Sequence, residues 1–400
     1  MKIVFLHTDF RVYWVPRLTE LYLFLKKQQH SLFVVEVAGK GSPYSFSSVC
    51  GNMSDWHILF PDHDIKSISS RVAQKAILAK LDEISPDIVF AGAIAYVSGM
   101  SAIKWCRKHH VPVVIFDNAR ESDVPRSKFV NFIKREIYAN VDAVLIPAPS
   151  HIPFYNFLGV PRTKMYLGLN VVDNSYWHHL SVQHDKRNEV VKNYKLPEHF
   201  ILGVGRQISK KNWLLLLQAY VDSHCQCPLV LVGNGPDRAE IESFIEKNLL
   251  ASQIILIDFQ PPEILAILYS MADVTVLPSL YGETWGLTIN EAMACGSPVL
   301  VSDQCGCCET LCKDGVTGFS FSPDLKGIVT ALEKWQSLSE SDKEKMGENA
   351  EKLIAEWGVE KFSQSVLKAS EDLTKENIRG YRSLLSRIFI SFWKGRYRPV

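Results

Sequence analysis

The feature that most restricts the fold of this 400-residue chain is an alternation of short apolar runs with segments of helical periodicity. The first half contains five predicted strands, Lys2–Leu6, Ser31–Val37, Asp87–Phe90, Val111–Phe116 and Ala143–Ile146. The helices predicted between them are Pro16–His30, Arg71–Ile84, Val97–His109 and Arg126–Asn140. Nearly continuous apolar strands that alternate with helices are typical of a parallel sheet covered by helices on both faces.

The alternation weakens between about residues 168 and 195 and then restarts. The second set of predicted strands is Phe200–Val204, Leu229–Val232, Ile254–Ile257, Val274–Leu277 and Pro298–Val301. The helices predicted with them are Asn212–Val221, Pro236–Lys247, Pro262–Ser270 and Thr288–Ala294, and the chain beyond about residue 325 is predicted to be helical. The sequence therefore predicts two α/β domains, as the chain length also suggests.

Charge and composition exclude several classes of protein. The chain carries 44 Lys and Arg against 43 Asp and Glu, so no global field favours nucleic acid. No apolar stretch reaches the roughly 18 residues that a membrane span needs. The first ten residues, MKIVFLHTDF, predict a strand rather than a signal peptide. An odd count of nine cysteines favours reduced thiols and a cytoplasmic location.

Five of the cysteines are close together in the sequence: Cys295, Cys305, Cys307, Cys308 and Cys312. Their spacing does not give two C-x2-C pairs, and no histidine is near them. Small buried thiols are therefore the preferred interpretation, with a structural zinc site as the alternative and no metal expected.

Two strand-to-helix loops in the second half carry candidate binding residues. The loop after the strand at 201–204 contains Arg206 and Lys211, which together could clamp a diphosphate, although a solvated basic loop would look similar. The next such loop contains Gly233 and Gly235, which permit a tight turn and a close approach of a ligand to the backbone.

The most informative segment covers residues 278–296. Glu283 lies in a predicted loop, and a helix is predicted to start near Gly286, where free N–H groups would suit an anion. Glu291 follows within the second turn of that helix. A carboxylate there would repel phosphate, so we expect it to accept hydrogen bonds from the hydroxyls of a ribose or a hexose.

These motifs resemble the donor-binding region of the retaining glycosyl transferases group 1, also called glycosyltransferase family 4. The match comprises an E-x7-E motif, a G-R-x4-K motif and a later E…G-x-x-G-F segment, formed here by Glu283, Glu291, Gly205, Arg206, Lys211, Glu309, Gly315, Gly318 and Phe319. It is dense from about residue 200 to 323 and looser across the first half.

The resemblance implies a GT-B fold, in which two Rossmann-like domains face each other across a cleft. It also implies a UDP- or GDP-linked sugar donor and retention of anomeric configuration without an obligatory metal. Arg206 and Lys211 would hold the diphosphate, Glu291 the ribose and Glu283 the transferred sugar. The other implied donor-binding residues are Gly205, Gly233, Gly235, Trp285, Gly286, Leu287 and Thr288.

The first half departs from the family pattern. The loop from His7 to Trp14 lacks the glycine pair that is frequent there, and the segment 116–123 lacks the histidine of many members. Cys305-Gly306 stands where a glycine pair is frequent. The candidates for contact with the acceptor are therefore assigned from position alone, and ordinary loop or structural roles are the alternative: His7, Asp9, Asp117 and Glu121.

The C-terminal segment, residues 377–400, contains no acidic residue. Its predicted apolar helical face consists of Tyr381, Leu384, Leu385, Ile388, Phe389 and Phe392, with Arg379, Arg387 and Lys394 opposite. Such a helix either lies on an anionic membrane or packs back on the first domain, as a GT-B fold implies. A second basic segment contains Arg126, Lys128, Lys134 and Arg135.

The predicted domains are residues 1–185, joined by a returning C-terminal helix at 375–400, and residues 186–374. The predicted function is transfer of a hexose-type sugar to a saccharide or lipid-linked saccharide, in cell-surface polysaccharide or glycolipid biosynthesis. A sugar-nucleotide epimerase and a non-catalytic sugar-nucleotide-binding scaffold are the alternatives. The predicted location is the cytoplasm, with peripheral attachment to the inner face of the cell membrane as an option.

Overall fold

The computed structural model describes residues 1–41, 53–123 and 127–393. The chain divides into two compact units. The first is built by Met1–Glu121, Pro125–Val171 and Val359–Val400, and the second chiefly by Val172–Gly358.

The described residues form two parallel sheets and the helices that cover them. The strands are β1 (Lys2–His7), β2 (Ser31–Lys40), β3 (Trp56–Asp64), β4 (Ile88–Gly92), β5 (Val113–Phe116), β6 (Ala143–Ile146), β7 (Met165–Leu167), β8 (Ile201–Val204), β9 (Leu229–Val232), β10 (Ile254–Ile257), β11 (Val274–Leu277), β12 (Val299–Ser302) and β13 (Gly318–Phe321). The helices are α1 (Trp14–Lys27), α2 (Ser70–Ile84), α3 (Val97–His109), α4 (Lys128–Tyr138), α5 (Ile152–Phe157), α6 (Asn174–Ser181), α7 (His184–Tyr194), α8 (Trp213–Asp222), α9 (Arg238–Lys247), α10 (Pro262–Met271), α11 (Leu287–Ala294), α12 (Cys308–Leu311), α13 (Leu325–Gln336), α14 (Glu340–Ile354), α15 (Val359–Thr374) and α16 (Leu384–Phe392).

Both sheets have the strand order of a doubly wound fold. In the first unit the order is β3-β2-β1-β4-β5-β6-β7, and in the second it is β10-β9-β8-β11-β12-β13. In each sheet the order reverses at the first strand, between β1 and β4 and between β8 and β11. Ligands of open parallel sheets bind at such a reversal, beyond the carboxyl ends of the strands. This topology confirms the predicted pair of Rossmann-like domains.

All ten predicted strands are present, and the structure adds β3, β7 and β13. The added strands lie at sheet edges: β3 and β7 bound the first sheet and β13 bounds the second. Edge strands need no continuous apolar run, because one side is not covered by another strand. In β3 (WHILFPDHD), Pro61 and three polar residues follow a run of only three apolar residues, and this is why the apolar pattern did not predict the strand.

The boundaries of the compact units differ from the predicted ones. The units divide between Val171 and Val172, and the chain returns to the first unit at Val359 rather than at 375. The reason is packing: Val359, Phe362, Val366, Ala369 and Leu373 of α15 are buried in the core of the first unit. The Tyr166 hydroxyl on β7 also donates to Asp372, at 2.9 Å.

The returning segment contains two helices rather than the one predicted over 375–400. The second, α16, starts after Ser383, whose side-chain oxygen accepts a hydrogen bond from the Ser386 N–H at 3.0 Å. Phe389 and Ile390 pack against the core of the first unit. The packing prediction is therefore confirmed for part of this segment, and residues 394–400, with Lys394, lie outside the described residues.

A buried carboxyl group fixes the loop between β1 and α1. Glu36 on β2 is 1% exposed, and its carboxylate accepts hydrogen bonds from the Phe10 N–H at 3.0 Å and the Trp56 indole N–H at 2.8 Å. Burial raises the pKa of Glu36 to about 7, against the opposing effect of these two hydrogen bonds. The proton on this group is therefore bound more tightly in the folded protein than in the unfolded chain.

This pKa predicts a pH-dependent contribution to stability. The stabilising effect of protonating Glu36 should be complete below the unfolded pKa of about 4.3 and lost as pH rises through about 7. Between pH 5 and 8, the wild type should lose about 1–3 kcal/mol more unfolding free energy than Glu36→Gln.

Urea denaturation at a series of pH values measures this difference, with Glu360→Gln as the control for loss of an exposed carboxylate in the same unit. Equal pH dependence in the wild type and Glu36→Gln would show that Glu36 does not titrate in this range.

Candidate functional site

The loop between β8 and α8 places three basic residues, Arg206, Lys210 and Lys211, at the strand reversal of the second sheet. It contains a short 3₁₀ turn, Ser209–Lys211, and ends at Asn212, whose φ is 64°. The Asn212 side-chain amide donates to the carbonyl of Pro323 at 3.1 Å and is buried. These contacts fix the direction in which Lys211 leaves the loop.

Lys211 and Glu283 form an ion pair that links this loop with the loop after β11. The Lys211 Nζ lies 2.5 Å from the Glu283 Oε2, and both side chains are mostly buried. The Ser279 hydroxyl donates to the same carboxylate oxygen at 3.1 Å. Burial alone would raise the pKa of Glu283, but Lys211, Lys210 and Ser279 outweigh it, so the pKa is lowered. The carboxylate is therefore ionised at neutral pH.

Arg206 lies at the start of this loop, and its side chain is exposed. Its backbone is fixed, since its carbonyl accepts a hydrogen bond from the Trp213 indole N–H at 3.0 Å. Among the described residues, no carboxylate pairs with its guanidinium group. Arg206 is thus a cation on a fixed backbone, available to an anion from solution.

The glycines of these loops allow two backbones to pack closely. A side chain at Gly233 would collide with the carbonyl of Gly205, and one at Gly235 would collide with the carbonyl of Gln207. The Gln207 N–H also donates to the Asn234 carbonyl at 2.8 Å. Packing between the loops therefore explains the glycines at 233 and 235, and a ligand contact at these positions stays a prediction.

Helix α11 begins next to the ion pair. Gly286 precedes it with a φ of 115°, and a Cβ there would lie 2.7 Å from Leu277 Cδ2. No side chain caps this end of the helix, which starts at Leu287. The Trp285 ring is buried, and its indole N–H donates to Asn290 at 2.8 Å. No capping side chain therefore occupies the place where a ligand would meet the first N–H groups of α11.

Several buried polar atoms around these loops have no hydrogen-bonding partner. They are both side-chain amide atoms of Gln207, the hydroxyl of Thr288 and the side-chain nitrogen of Asn290. Gln207 is only 1% exposed. Buried polar groups in proteins are nearly always paired, so these atoms are suited to hydrogen bonds with a ligand. The sequence did not single out Gln207 or Asn290, because uncharged amides are common in loops and helices.

Glu291 is a buried carboxylate on α11. It is 2% exposed, and its Oε2 accepts a hydrogen bond from the Tyr269 hydroxyl of α10 at 2.9 Å. Tyr269, which the sequence did not reveal as a partner, therefore orients this carboxylate. Contact of Glu291 with a ribose stays a prediction.

The clustered cysteines pack beneath the site. Cys305, Cys307, Cys308 and Cys312 are buried, and burial raises the pKa of the Cys305 and Cys307 thiols. The N–H groups of Gly306 and Cys307 donate to the carbonyls of Glu283 and Trp285, at 2.9 and 3.1 Å. No group of His, Cys, Asp or Glu in the described residues is arranged to hold a metal ion. The cysteine segment therefore positions the Glu283 loop.

The candidates for acceptor contact lie in the first unit, and two of them have structural partners. Asp9 pairs with Arg11 at 2.9 Å, and Asp117 accepts a hydrogen bond from the Tyr138 hydroxyl at 3.2 Å. Glu121 is exposed in a short 3₁₀ turn. Their proposed roles stay predictions.

His7 lies at the carboxyl end of β1 among aromatic rings. Its ring centre is 5.1 Å from that of Tyr96 and 5.3 Å from that of Phe116. Burial lowers the pKa of His7 to about 4, so the imidazole is neutral at physiological pH. Its Nδ1 is buried without a hydrogen-bonding partner. Both a structural and a ligand-binding role fit these observations.

Comparison with known families agrees with the site. Residues 185–353 match the family model described as glycosyl transferases group 1. The matched segment contains the Lys211–Glu283 pair, Arg206 and α11. The second unit of this chain is therefore similar to the glycosyl transferases group 1 family.

Curated relatives are sugar transferases of several kinds. The chain is 28% identical over 179 residues to an α-D-kanosaminyltransferase of Streptomyces kanamyceticus. The aligned segment covers 42% of this chain and 45% of that protein. It is 25% identical over 279 residues to the sulfoquinovosyl transferase SQD2 of Arabidopsis thaliana, covering 66% and 52%. The chain thus spans about half the length of the curated relatives it matches.

Solved structures share the whole fold. A glycosyltransferase from Rickettsia africae superposes with a TM-score of 0.75 at 16% identity, covering 94% of this chain and 98% of that one. HepE of Anabaena, solved in complex with UDP, superposes with a TM-score of 0.71 at 15% identity, covering 93% and 100%. These similarities confirm the GT-B fold.

The geometry at Gly286 predicts a strong cost of adding a methyl group. Gly286→Ala should destabilise the second unit by about 2 kcal/mol or more, because positive φ and the Leu277 contact both oppose a Cβ. Gly296→Ala is the matched control at the other end of α11, where φ is 80° and a Cβ would meet open space.

Chemical denaturation followed by tryptophan fluorescence measures both variants. Gly296→Ala should reduce the free energy of unfolding by only about 1 kcal/mol, the cost of placing an alanine in the left-handed backbone region. Equal losses in the two variants would contradict the packing described at the start of α11.

Proposed function

We propose that this protein is a retaining glycosyltransferase whose second unit binds a nucleoside-diphosphate sugar. The observation that carries the proposal is the Lys211–Glu283 ion pair at the strand reversal of the second sheet, with the exposed guanidinium of Arg206 in the same loop as Lys211. This is the part of a doubly wound fold where nucleotides bind.

The two cations suit the diphosphate. In the protein without ligand, the Lys211 ammonium is neutralised by Glu283 at 2.5 Å. A diphosphate carries more negative charge than one carboxylate, so it would draw Lys211 toward itself and leave Glu283 as an ionised acceptor. Lys211, Arg206 and the uncapped start of α11 would then stabilise the charge that develops on the leaving diphosphate.

The carboxylate of Glu283 suits the transferred sugar. Its low pKa keeps it ionised, and an ionised carboxylate accepts hydrogen bonds from hydroxyl groups strongly. A hexose presents several hydroxyls in a small volume. The pairing in the ligand-free protein therefore holds Glu283 in place until a donor separates it from Lys211.

The unpaired buried atoms support a polar, neutral part of the ligand. Gln207 offers one donor group and one acceptor, Thr288 a hydroxyl and Asn290 an amide nitrogen. Hydroxyls and heterocycle edges satisfy such groups, whereas an apolar ligand would leave them unpaired. Glu291, oriented by Tyr269, is the proposed contact of the ribose.

We further propose that the donor is a UDP- or GDP-linked hexose and that transfer retains anomeric configuration without a metal. The UDP complex of HepE supports this class of donor. The proposed acceptor is a saccharide or lipid-linked saccharide of a cell-surface polysaccharide or glycolipid. An O-antigen chain mannosyltransferase of Escherichia coli, 34% identical over 120 residues that cover 28% of this chain and 31% of that protein, supports the acceptor class.

Removal of either cation should weaken binding of a nucleoside diphosphate. Arg206→Ala and Lys211→Ala should each reduce affinity for UDP or GDP by about 10–100-fold, since a charge-assisted hydrogen bond contributes roughly 1.5–3 kcal/mol. Isothermal titration in the presence of EDTA measures this and tests independence from metal in the same experiment. Lys192→Ala, which removes an exposed lysine of α7, is the control.

Wild-type affinity in both variants would show that these residues do not hold a diphosphate. Binding that requires magnesium or manganese would show that a metal shares the role. If the wild type binds the nucleotide and converts the sugar donor without an acceptor, an epimerase or hydrolase replaces the transferase.

A further inference from the structure

Helix α16 has two apolar faces, and only one of them is covered. Ser386, Phe389 and Ile390 face the first unit, and Phe389 meets Phe132 of α4 edge-to-face with ring centres 6.1 Å apart. The apolar residues of the opposite face follow one another at helical spacing and are exposed. Its residues are Leu384 (75% exposed), Leu385 (43%), Ile388 (43%) and Phe392 (79%).

Helix α4 extends this uncovered surface. Phe129 is 68% exposed and Phe132 is 46% exposed, one turn apart on α4, which packs against α16. We call these two phenylalanines and the four exposed residues of α16 the α4–α16 surface. Monomeric soluble proteins rarely expose six large apolar side chains on two adjacent helices unless a binding partner covers them.

Basic residues accompany this surface. Helix α4 carries Lys128, Lys134 and Arg135 against a single acidic residue, Glu136. Arg387 lies on α16, which has no acidic residue. The described residues 377–393 contain three arginines, Arg379, Arg382 and Arg387, and no Asp or Glu. The charge near the α4–α16 surface is therefore strongly positive in a chain whose net charge is only +1.

We propose that the α4–α16 surface docks on a lipid bilayer that contains anionic headgroups. The exposed leucine, isoleucine and phenylalanine side chains enter the boundary between headgroups and acyl chains, and the basic residues contact the headgroups. Among the described residues, no helix is long and apolar enough to cross a membrane.

Charge complementarity selects this partner over a second copy of the chain. A symmetric contact between two copies would bring the basic residues of both surfaces together, and like charges oppose association. An anionic bilayer satisfies the apolar and the basic residues simultaneously. The proposal concerns the first unit alone and does not depend on the sugar donor.

Cosedimentation of the full chain with vesicles tests the proposal. The wild type should bind vesicles of phosphatidylcholine with phosphatidylglycerol, bind phosphatidylcholine alone weakly, and lose affinity at high salt. The double variant Phe129→Ser/Phe392→Ser should bind the anionic vesicles at least about ten-fold more weakly. The single variants Lys128→Gln and Arg387→Gln should each bind the anionic vesicles roughly five-fold more weakly than the wild type.

Leu249→Ser is the matched control, because Leu249 is 86% exposed but lies in the second unit. It should bind vesicles like the wild type. Failure of the wild type to bind anionic vesicles, or equal losses in Leu249→Ser and the double variant, would overturn the proposal. So would a wild-type dimer by light scattering that the double variant abolishes, because a second copy would then cover the surface.

Titration with UDP or GDP separates this proposal from the proposed function. All surface variants should keep wild-type nucleotide affinity, because the substituted residues lie in the first unit or, for Leu249, just after the carboxyl end of α9. If the chain binds vesicles but not UDP or GDP, the proposed sugar donor is contradicted. The proposed docking surface then still stands.

Discussion

The ion pair between Lys211 and Glu283 is the interaction on which the account of this protein depends. Parallel strands end at one edge of a sheet, so the loops after β8 and β11 meet where the strand order reverses. The pair joins these loops at 2.5 Å and lowers the pKa of Glu283, which keeps this carboxylate ionised. The Gly286 turn and the cysteine segment beneath the Glu283 loop hold this arrangement in position. One buried contact therefore links the sheet topology to the chemistry of the site.

Much of the fold could be predicted from the sequence because central strands are covered on both faces. Val274–Leu277, for example, is apolar except for Thr275, and all four residues are buried. The pattern fails at the edges, where β3 contains Asp62, His63 and Asp64. It also fails at α15, since an amphipathic helix shows that it has a buried face but not which unit buries it.

The site was predictable in its charged residues and less so in its neutral ones. Glu283, Arg206 and Lys211 stand in motifs whose spacing is recognisable, whereas Tyr269 reaches Glu291 from a helix 22 residues earlier. Gln207 carries no signal in the sequence; only its burial without a partner makes it notable. The pairing of Lys211 with Glu283 was also not predicted, since each had been matched with a different part of a ligand.

The most direct test of the central claim compares nucleotide binding with turnover in Glu283→Gln. If Glu283 contacts the transferred sugar, the variant should bind free UDP or GDP at least as tightly as the wild type, because the free nucleotide has no sugar for Glu283 to contact and Lys211 is released from its carboxylate partner. Its turnover of the matching sugar donor should fall about 10–100-fold, the loss expected for one charged hydrogen bond. Wild-type turnover in a folded variant would contradict the account, as would a loss of nucleotide affinity as large as the loss of turnover.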